Sequence, residues 1–137
     1  MSKLKSTVLA LSLAASPVMA EVVVIGNPAG PDTVSRNEVR DIFLNRSQEL
    51  PGGQKAVPLE MPGGNATRSE FHQKVTGRND AQLNAFWSQQ VFTGRGQPPE
   101  EAANPASLKA RISTTPGAIG YIDSAEVDDS VKVLLKP

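Results

Sequence analysis

The sequence predicts an α/β or α+β domain in which helices pack on a small mixed sheet. Short β-branched or apolar runs alternate with segments whose apolar residues recur at helical spacing. Proline and glycine, with 11 of each among 137 residues, separate these segments as turn residues do. We find no internal repeat and no long linker, so a single domain is expected after the first twenty residues.

Those first twenty residues have the order of a secretory signal peptide. Lys3 and Lys5 form a positive start, residues 8–15 are a short apolar run, and Val18–Ala20 has the small residues that a signal peptidase reads. The alternative is a buried N-terminal helix. We therefore predict that residues 1–20 are removed, leaving one domain of residues 21–137 in the periplasm, with no further segment long and apolar enough to enter a membrane.

Charge and cysteine content exclude several classes of partner. Without Lys3 and Lys5 the 14 basic residues become 12 against 14 acidic ones, a net charge of −2. This argues against a nucleic acid partner, which requires a clustered basic face, and against an anionic membrane surface. The chain has no cysteine, so it has neither a disulfide nor an acceptor for a lipid anchor, and its stability must come from a buried core.

The first half of the mature chain is predicted to form a strand, a helix and a second strand. Residues 22–25 are an unbroken β-branched run, typical of a buried strand in a parallel sheet. Ser35 and Glu38 have the spacing of a capping box that opens a helix. Residues 56–60 indicate a short strand, in which Pro58 favours a position near an edge or a bulge.

The second half is predicted to form three helices and two strands. Thr67 and Glu70 repeat the capping-box spacing, Gly77 ends that helix, Asp80 caps the next one, and Asn104–Pro105 begins the third. The predicted face of the middle helix consists of Leu83, Phe86, Trp87, Gln90 and Val91. After it, residues 93–101 are expected to be a loop, and the two strands are expected at 118–122 and 131–135.

The sequence does not predict an enzyme. His72 is the single histidine, lies off the apolar stripe of its helix and is interpreted as a solvated residue. A serine nucleophile would need a base within reach, and no Cys or His cluster offers transition-metal ligands. The acidic residues between the last strands could hold calcium weakly, but their spacing is not that of a calcium loop, which favours a solvated turn. We expect no cofactor and no metal.

The segment 62–71, PGGNATRSEF, is the candidate binding site, because it joins a strand to the start of a helix. Glycine permits backbone geometries that turn N–H groups toward one point, and the first N–H groups of a helix have no partner inside it. With the helix dipole they form a site for an oxyanion. The alternative is a helix start that Asn65 or Thr67 caps, with Glu70 closing the box and Arg68 in water. The residues proposed to bind the anion are Gly64, Asn65, Ala66, Thr67 and Arg68.

Four segments of the chain resemble one lobe of the periplasmic phosphate-binding proteins that serve ABC transporters. Residues 39–60 (VRDIFLNRSQELPGGQKAVPLE) resemble a helix, turn and strand of that family, and residues 63–75 (GGNATRSEFHQKV) resemble its Ser-Gly-Thr loop and the helix that follows. Residues 86–99 (FWSQQVFTGRGQPP) and 111–122 (RISTTPGAIGYI) resemble its Trp helix and its Pro-Gly-Ala-Ile-Gly-Tyr strand. The resemblance implies a single α/β lobe of a periplasmic-binding-protein-like fold, a small mixed sheet flanked by helices.

The chain departs from the family pattern at the proposed site. Asn65, Ala66 and Thr67 stand where the family has Ser-Gly-Thr, and Met61 stands where it has an arginine. Arg68 is expected to compensate in part for the lost charge. Family members close two lobes around the ligand, whereas this chain has residues for one, which would leave the ligand half exposed to water.

Two functions remain in competition at this point. The first is an exported protein that binds inorganic phosphate or a similar oxyanion, related to the substrate-binding components of ABC transporters, with such a transporter or another envelope protein as partner. A homodimer or a protein partner would then supply the missing wall. The second is a non-catalytic envelope interaction module that keeps the lobe fold but has lost ligand binding. A hydrolase is disfavoured because no nucleophile and base are paired.

Overall fold

The computed structural model describes residues 21–137, and the predicted signal peptide lies outside them. Within this part of the chain the predicted order of helices and strands is confirmed, with a two-residue strand and a single 3₁₀ turn added. The strands are β1 (Val22–Gly26), β2 (Val57–Glu60), β3 (Glu100–Glu101), β4 (Ala118–Asp123) and β5 (Lys132–Leu135). The helices are α1 (Arg36–Phe43), α2 (Ala66–Val75), α3 (Asp80–Phe92) and α4 (Pro105–Thr114), and the 3₁₀ turn is Ser124–Glu126.

The strands form one mixed sheet in the order β3-β2-β4-β1-β5. β2 runs parallel to both of its neighbours, whereas β1 runs antiparallel to both β4 and β5. The prediction that β1 belongs to a parallel sheet is therefore wrong. Its unbroken apolar run reflects burial on both faces, which helices impose on a central strand whatever the direction of its neighbours.

Successive residues of β4 show how the two faces of the sheet are covered. The side chain of Tyr121 lies on the α2 face, where its ring stacks on Phe71 with centroids 4.1 Å apart. Gly120 lies on the opposite face, where a Cβ atom would come within 3.1 Å of Ile112 and 3.2 Å of Leu108 in α4. Glycine at this position allows α4 to approach the sheet closely. The core thus has two layers, one on each side of the central strands.

Two of the predicted helix starts are confirmed, one is decided between two alternatives, and one is wrong. Ser35 closes a capping box with Glu38, and Asn104 caps α4 with Pro105 as the first helical residue. The cap of α2 is Asn65 rather than Thr67, and the cap of α3 is Asn79 rather than Asp80. In both helices an asparagine that precedes the predicted cap begins the helix earlier, and its side chain accepts the N–H of Arg68 in α2 and of Gln82 in α3.

Helix α3 is the least buried of the four helices in residues 21–137. Of the face predicted for it, only Leu83 and Trp87 are buried, whereas Val91 is exposed. Its last residue, Phe92, keeps 91% of its surface accessible. The helix therefore has both an anchored side and an apolar side that no residue in 21–137 covers.

Candidate functional site

The backbone at the start of α2 leaves two N–H groups without an acceptor in the part of the chain that the structure describes. Gly64 has a φ of 82°, a left-handed conformation that glycine adopts without strain. The Asn65 side chain accepts the N–H of Arg68 at 3.0 Å. Within residues 21–137, the N–H groups of Ala66 and Thr67 have no hydrogen-bond acceptor. Two backbone donors at the N-terminal end of a ten-residue helix are thus free for a ligand.

A carboxylate of the chain itself lies beside these donors. Asp80 accepts the N–H of Gly64 at 3.3 Å through Oδ2, while its Oδ1 lies 3.9 Å from Nε of Arg68. From the sequence, Asp80 was predicted to be a helix cap without a connection to the site. No local spacing could have revealed the contact, because it joins residues 16 positions apart, one in the loop before α2 and one in α3.

The side chain of Arg68 points into the protein, whereas the two interpretations of the sequence placed it at the anion or in water. It is 9% exposed, and its Nη1 donates to the carbonyl of Met61 at 2.8 Å. The same nitrogen lies 3.5 Å from a Glu101 oxygen and 3.7 Å from a Glu60 oxygen. Its buried Nε has no hydrogen-bond partner among residues 21–137. Arg68 therefore places a positive charge behind the helix start instead of pointing to water.

A buried hydrogen-bonded cluster lies on the inner side of Arg68. Glu60 accepts from the hydroxyl of Tyr121 at 2.5 Å and contacts Nε2 of His72 at 2.7 Å. The Tyr121 hydroxyl in turn accepts the N–H of Met61 at 3.0 Å. All three side chains are almost fully buried, so the interpretation of His72 as a solvated residue is wrong. The cluster joins β2, α2 and β4 directly beneath the candidate site.

The proton positions in this cluster follow from its donors and acceptors. Thr76 donates its hydroxyl to the carbonyl of His72 at 3.1 Å, so its oxygen can accept from Nδ1 of the ring at 2.9 Å. The other ring nitrogen, Nε2, contacts an oxygen of Glu60 at 2.7 Å. Burial, and after it the charge of Glu60, raises the pKa of Tyr121 far above its usual range. The tyrosine hydroxyl therefore stays a donor.

A second concave surface lies next to the site, between α3 and the loop that follows it. This cavity has a volume of about 620 Å³ and is lined by Arg68 and Glu101 on one side and by Trp87, Phe92 and Pro98 on the other. Among residues 21–137, no group of three His, Cys, Asp or Glu side chains is arranged to hold a metal ion. In the same part of the chain, no helix has the length and apolarity needed to cross a bilayer.

Comparisons with known proteins identify the fold. Neither a family model nor a curated protein matches the sequence. Among solved structures, a phosphate ABC transporter substrate-binding protein from Clostridium perfringens with bound phosphate aligns with a TM-score of 0.66 at 19% identity, over 84% of this chain and 44% of that one. An ABC-type phosphate transport receptor from Vibrio cholerae aligns with a TM-score of 0.60 at 16% identity, over 84% of this chain and 45% of that one.

A third solved structure, PstS from Borrelia burgdorferi, aligns with a TM-score of 0.57 at 15% identity, over 84% of this chain and 46% of that one. The chain thus spans less than half the length of the solved structures that it resembles. At these identities the likeness is one of fold. The resemblance read from the sequence is confirmed at that level, as a single α/β lobe of the periplasmic-binding-protein type.

Proposed function

We propose that this chain is an exported oxyanion-binding lobe that holds inorganic phosphate at the N-terminal end of α2. The observation that carries the proposal is the pair of free N–H groups of Ala66 and Thr67, with the Thr67 hydroxyl beside them. Gly64 precedes them in a left-handed conformation, which keeps the approach free of side chains. Backbone donors at a helix start, together with the helix dipole, favour a small anion.

Arg68 supports the anion from behind in this proposal. Its guanidinium is buried and in hydrogen-bond contact with Met61 and Glu101, so it is held in a fixed position. This fixed positive charge offsets part of the negative charge of Glu60, Glu101 and Asp80 around the helix start, and it does not have to be ordered when the ligand arrives. Nε of Arg68, which has no hydrogen-bond partner among residues 21–137, lies 3.9 Å from Oδ1 of Asp80.

Asp80 would favour anions that carry a proton over anions that carry none. A carboxylate next to the site repels an anion that has only acceptor oxygens. Phosphate near neutral pH keeps a proton that it can donate to Asp80, whereas sulfate has none. Since Asp80 already accepts the Gly64 N–H at 3.3 Å, it can accept from a ligand bound beside that group. We therefore expect phosphate to bind in preference to sulfate.

A single lobe gives modest affinity because one side of the ligand stays in water. We expect a dissociation constant of about 0.1–1 mM, since the entropy of association offsets most of the gain from a few charge-assisted hydrogen bonds. The experiment is an NMR titration of ¹⁵N-labelled residues 21–137 with phosphate, and separately with sulfate. Phosphate should shift the amide signals of Ala66 and Thr67 saturably, and sulfate should not.

A pair of variants separates the site from general ionic effects. Thr67→Val removes one donor and should weaken phosphate binding by about tenfold, the lower range for a charge-assisted hydrogen bond. Ser107→Ala is the control. Ser107 is the third residue of α4, a helix whose first residue, Pro105, has no N–H group that could bind an anion. If both variants bind phosphate as the parent does, or if the parent shows no saturable shift, the proposed site is wrong.

The alternative function, a non-catalytic interaction module of the cell envelope, is favoured by one observation. Asp80 already occupies the N–H of Gly64, as it would if the helix start no longer received a ligand. A parent protein whose Ala66 and Thr67 signals do not move at 20-fold excess phosphate, and which reproducibly binds an envelope protein, would support this second function.

Export to the periplasm, and service to an ABC transporter, are part of the proposal. The solved structures of similar fold are described as transport components, and residues 1–20 have the pattern of a signal peptide. Mass spectrometry of protein taken from the periplasmic fraction should give Glu21 as the first residue. Detection of intact residues 1–20 on the mature protein would contradict the export prediction.

A further inference from the structure

One surface of the molecule is depleted of charge. From Ala81 to Pro99 the sequence has one charged residue, Arg95, whereas the chain-wide charged fraction of 20% would give about four in such a stretch. Most of these residues are exposed in the structure. Exposed surfaces that remain in water are normally rich in lysine, glutamate and aspartate, and the centres of protein interfaces lack them. We call residues 81–99 the α3 surface.

The α3 surface has a projecting aromatic residue next to a cavity. Phe92 is 91% exposed and Val91 is 44% exposed, the two large apolar residues left in water among residues 21–137. The adjoining cavity of about 620 Å³ is lined by Trp87, Phe92 and Pro98 together with polar side chains. A volume in this range accommodates an aromatic group. A projection and a matching depression thus occur on the same face of the same chain.

We infer that the α3 surface binds a second copy of this chain across a two-fold axis. In such an isologous contact, the same patch of each copy faces the other, so Phe92 of one protomer enters the cavity of its partner and the reverse contact forms at the same time. Two-fold symmetry requires that each copy carries both a projecting side chain and a cavity that receives the same side chain of its partner. A partner of another kind would need only one of the two features.

The size and charge of the surface fit this occupant. A standard interface buries about 800 Å² and about 20–30 residues on each side, which is roughly a tenth of the 8622 Å² exposed by this protein. The α3 surface supplies 19 residues, from position 81 to 99, most of them exposed. Its single charge is that of Arg95, and the adjoining cavity adds one charge of each sign, Arg68 and Glu101, so two copies can face each other with little repulsion.

Arg68, at the start of α2, also lines the cavity, so the second copy would adjoin the proposed anion site. The pairing itself does not depend on anion binding, and it is tested without phosphate.

The test is sedimentation equilibrium of residues 21–137 over a wide concentration range, with the fluorescence of Trp87 followed on dilution. Trp87 is the single tryptophan and lines the cavity, so its emission should change as the partner's aromatic ring leaves. We expect a reversible dimer. Phe92→Asp should raise the dissociation constant more than about thirty-fold, as expected for a central aromatic anchor, with an unchanged melting temperature for the monomer because the side chain is exposed.

The matched control is Ser107→Asp, which adds the same charge at an exposed position of α4, away from the α3 surface. It should dimerise as the parent does. A parent protein that stays monomeric at millimolar concentration would overturn the inference. So would a dimer that Phe92→Asp leaves intact, or one that both aspartate variants weaken equally, because each result would remove the α3 surface from the contact.

Discussion

Tyr121→Phe tests the buried cluster without disturbing its packing. The phenyl ring is retained, so the stacking on Phe71 at 4.1 Å remains, and only the hydroxyl is lost. That hydroxyl donates to Glu60 at 2.5 Å and accepts the N–H of Met61 at 3.0 Å. The variant therefore loses a hydrogen bond to a charged group, about 1.5–3 kcal/mol, and leaves a buried N–H without an acceptor, about 1–3 kcal/mol.

We expect the free energy of unfolding to fall by about 3–5 kcal/mol, a large part of the 5–15 kcal/mol that is typical of a domain. Urea denaturation at pH 7, followed by far-ultraviolet circular dichroism, measures the change, and the slope with denaturant should stay the same. Thr114→Val is the control, because its hydroxyl donates to the carbonyl of Ala110 at an exposed position of α4 and its loss should cost less than about 0.5 kcal/mol. A loss below about 1 kcal/mol for Tyr121→Phe would refute the reasoning.

Two further predictions concern the backbone and the surface charges. Gly117→Ala should cost at least about 3 kcal/mol in unfolding experiments, because its φ is +83° and the new Cβ would lie 2.1 Å from the carbonyl oxygen of Lys55. Gly77→Ala, at φ +67° in open space, should cost only the left-handed strain of about 1–2 kcal/mol, and equal losses would contradict the steric account. Hydrogen bonds from Lys109 and Ser130 lower the pKa of Asp128 from 3.8 to about 2, so this contact adds stability above pH 3.8 that disappears as the pH falls through about 2. Lys109→Met should raise that pKa toward 3.8, as carboxyl ¹³C shifts would report, and an unchanged value would exclude the lysine as its cause.

Local patterns in the sequence predict most of the helices and strands, because strands and helix starts are local features. The direction of β1 relative to its neighbours could not be predicted, because an apolar run indicates burial and does not indicate which strands lie beside it. β3 has two residues and is held by pairing with β2 rather than by its own composition. The fold class and element order could thus be predicted, and the strand pairing could not.

At the candidate site, the sequence predicts the helix start but not which charged side chains meet there. Gly64 and the first turn of α2 follow from turn and cap chemistry. The burial of His72 depends on Glu60, which reaches it from a neighbouring strand. Asp80 and Arg68 meet from different helices in the same way. A single sequence gives no signal for such pairs, because their distance is set by how the elements pack.

The pairing of β1 with β4 and β5 has a consequence for how the chain folds. β1 begins at Val22, and both of its partner strands come from the last twenty positions of the sequence. Contacts so distant along the chain close slowly, because the loop between them must be ordered first. The pairing of β1 with β5 therefore cannot form until residue 135 is free. A ribosome or translocation pore that still holds the C-terminal end leaves that edge of β1 unpaired.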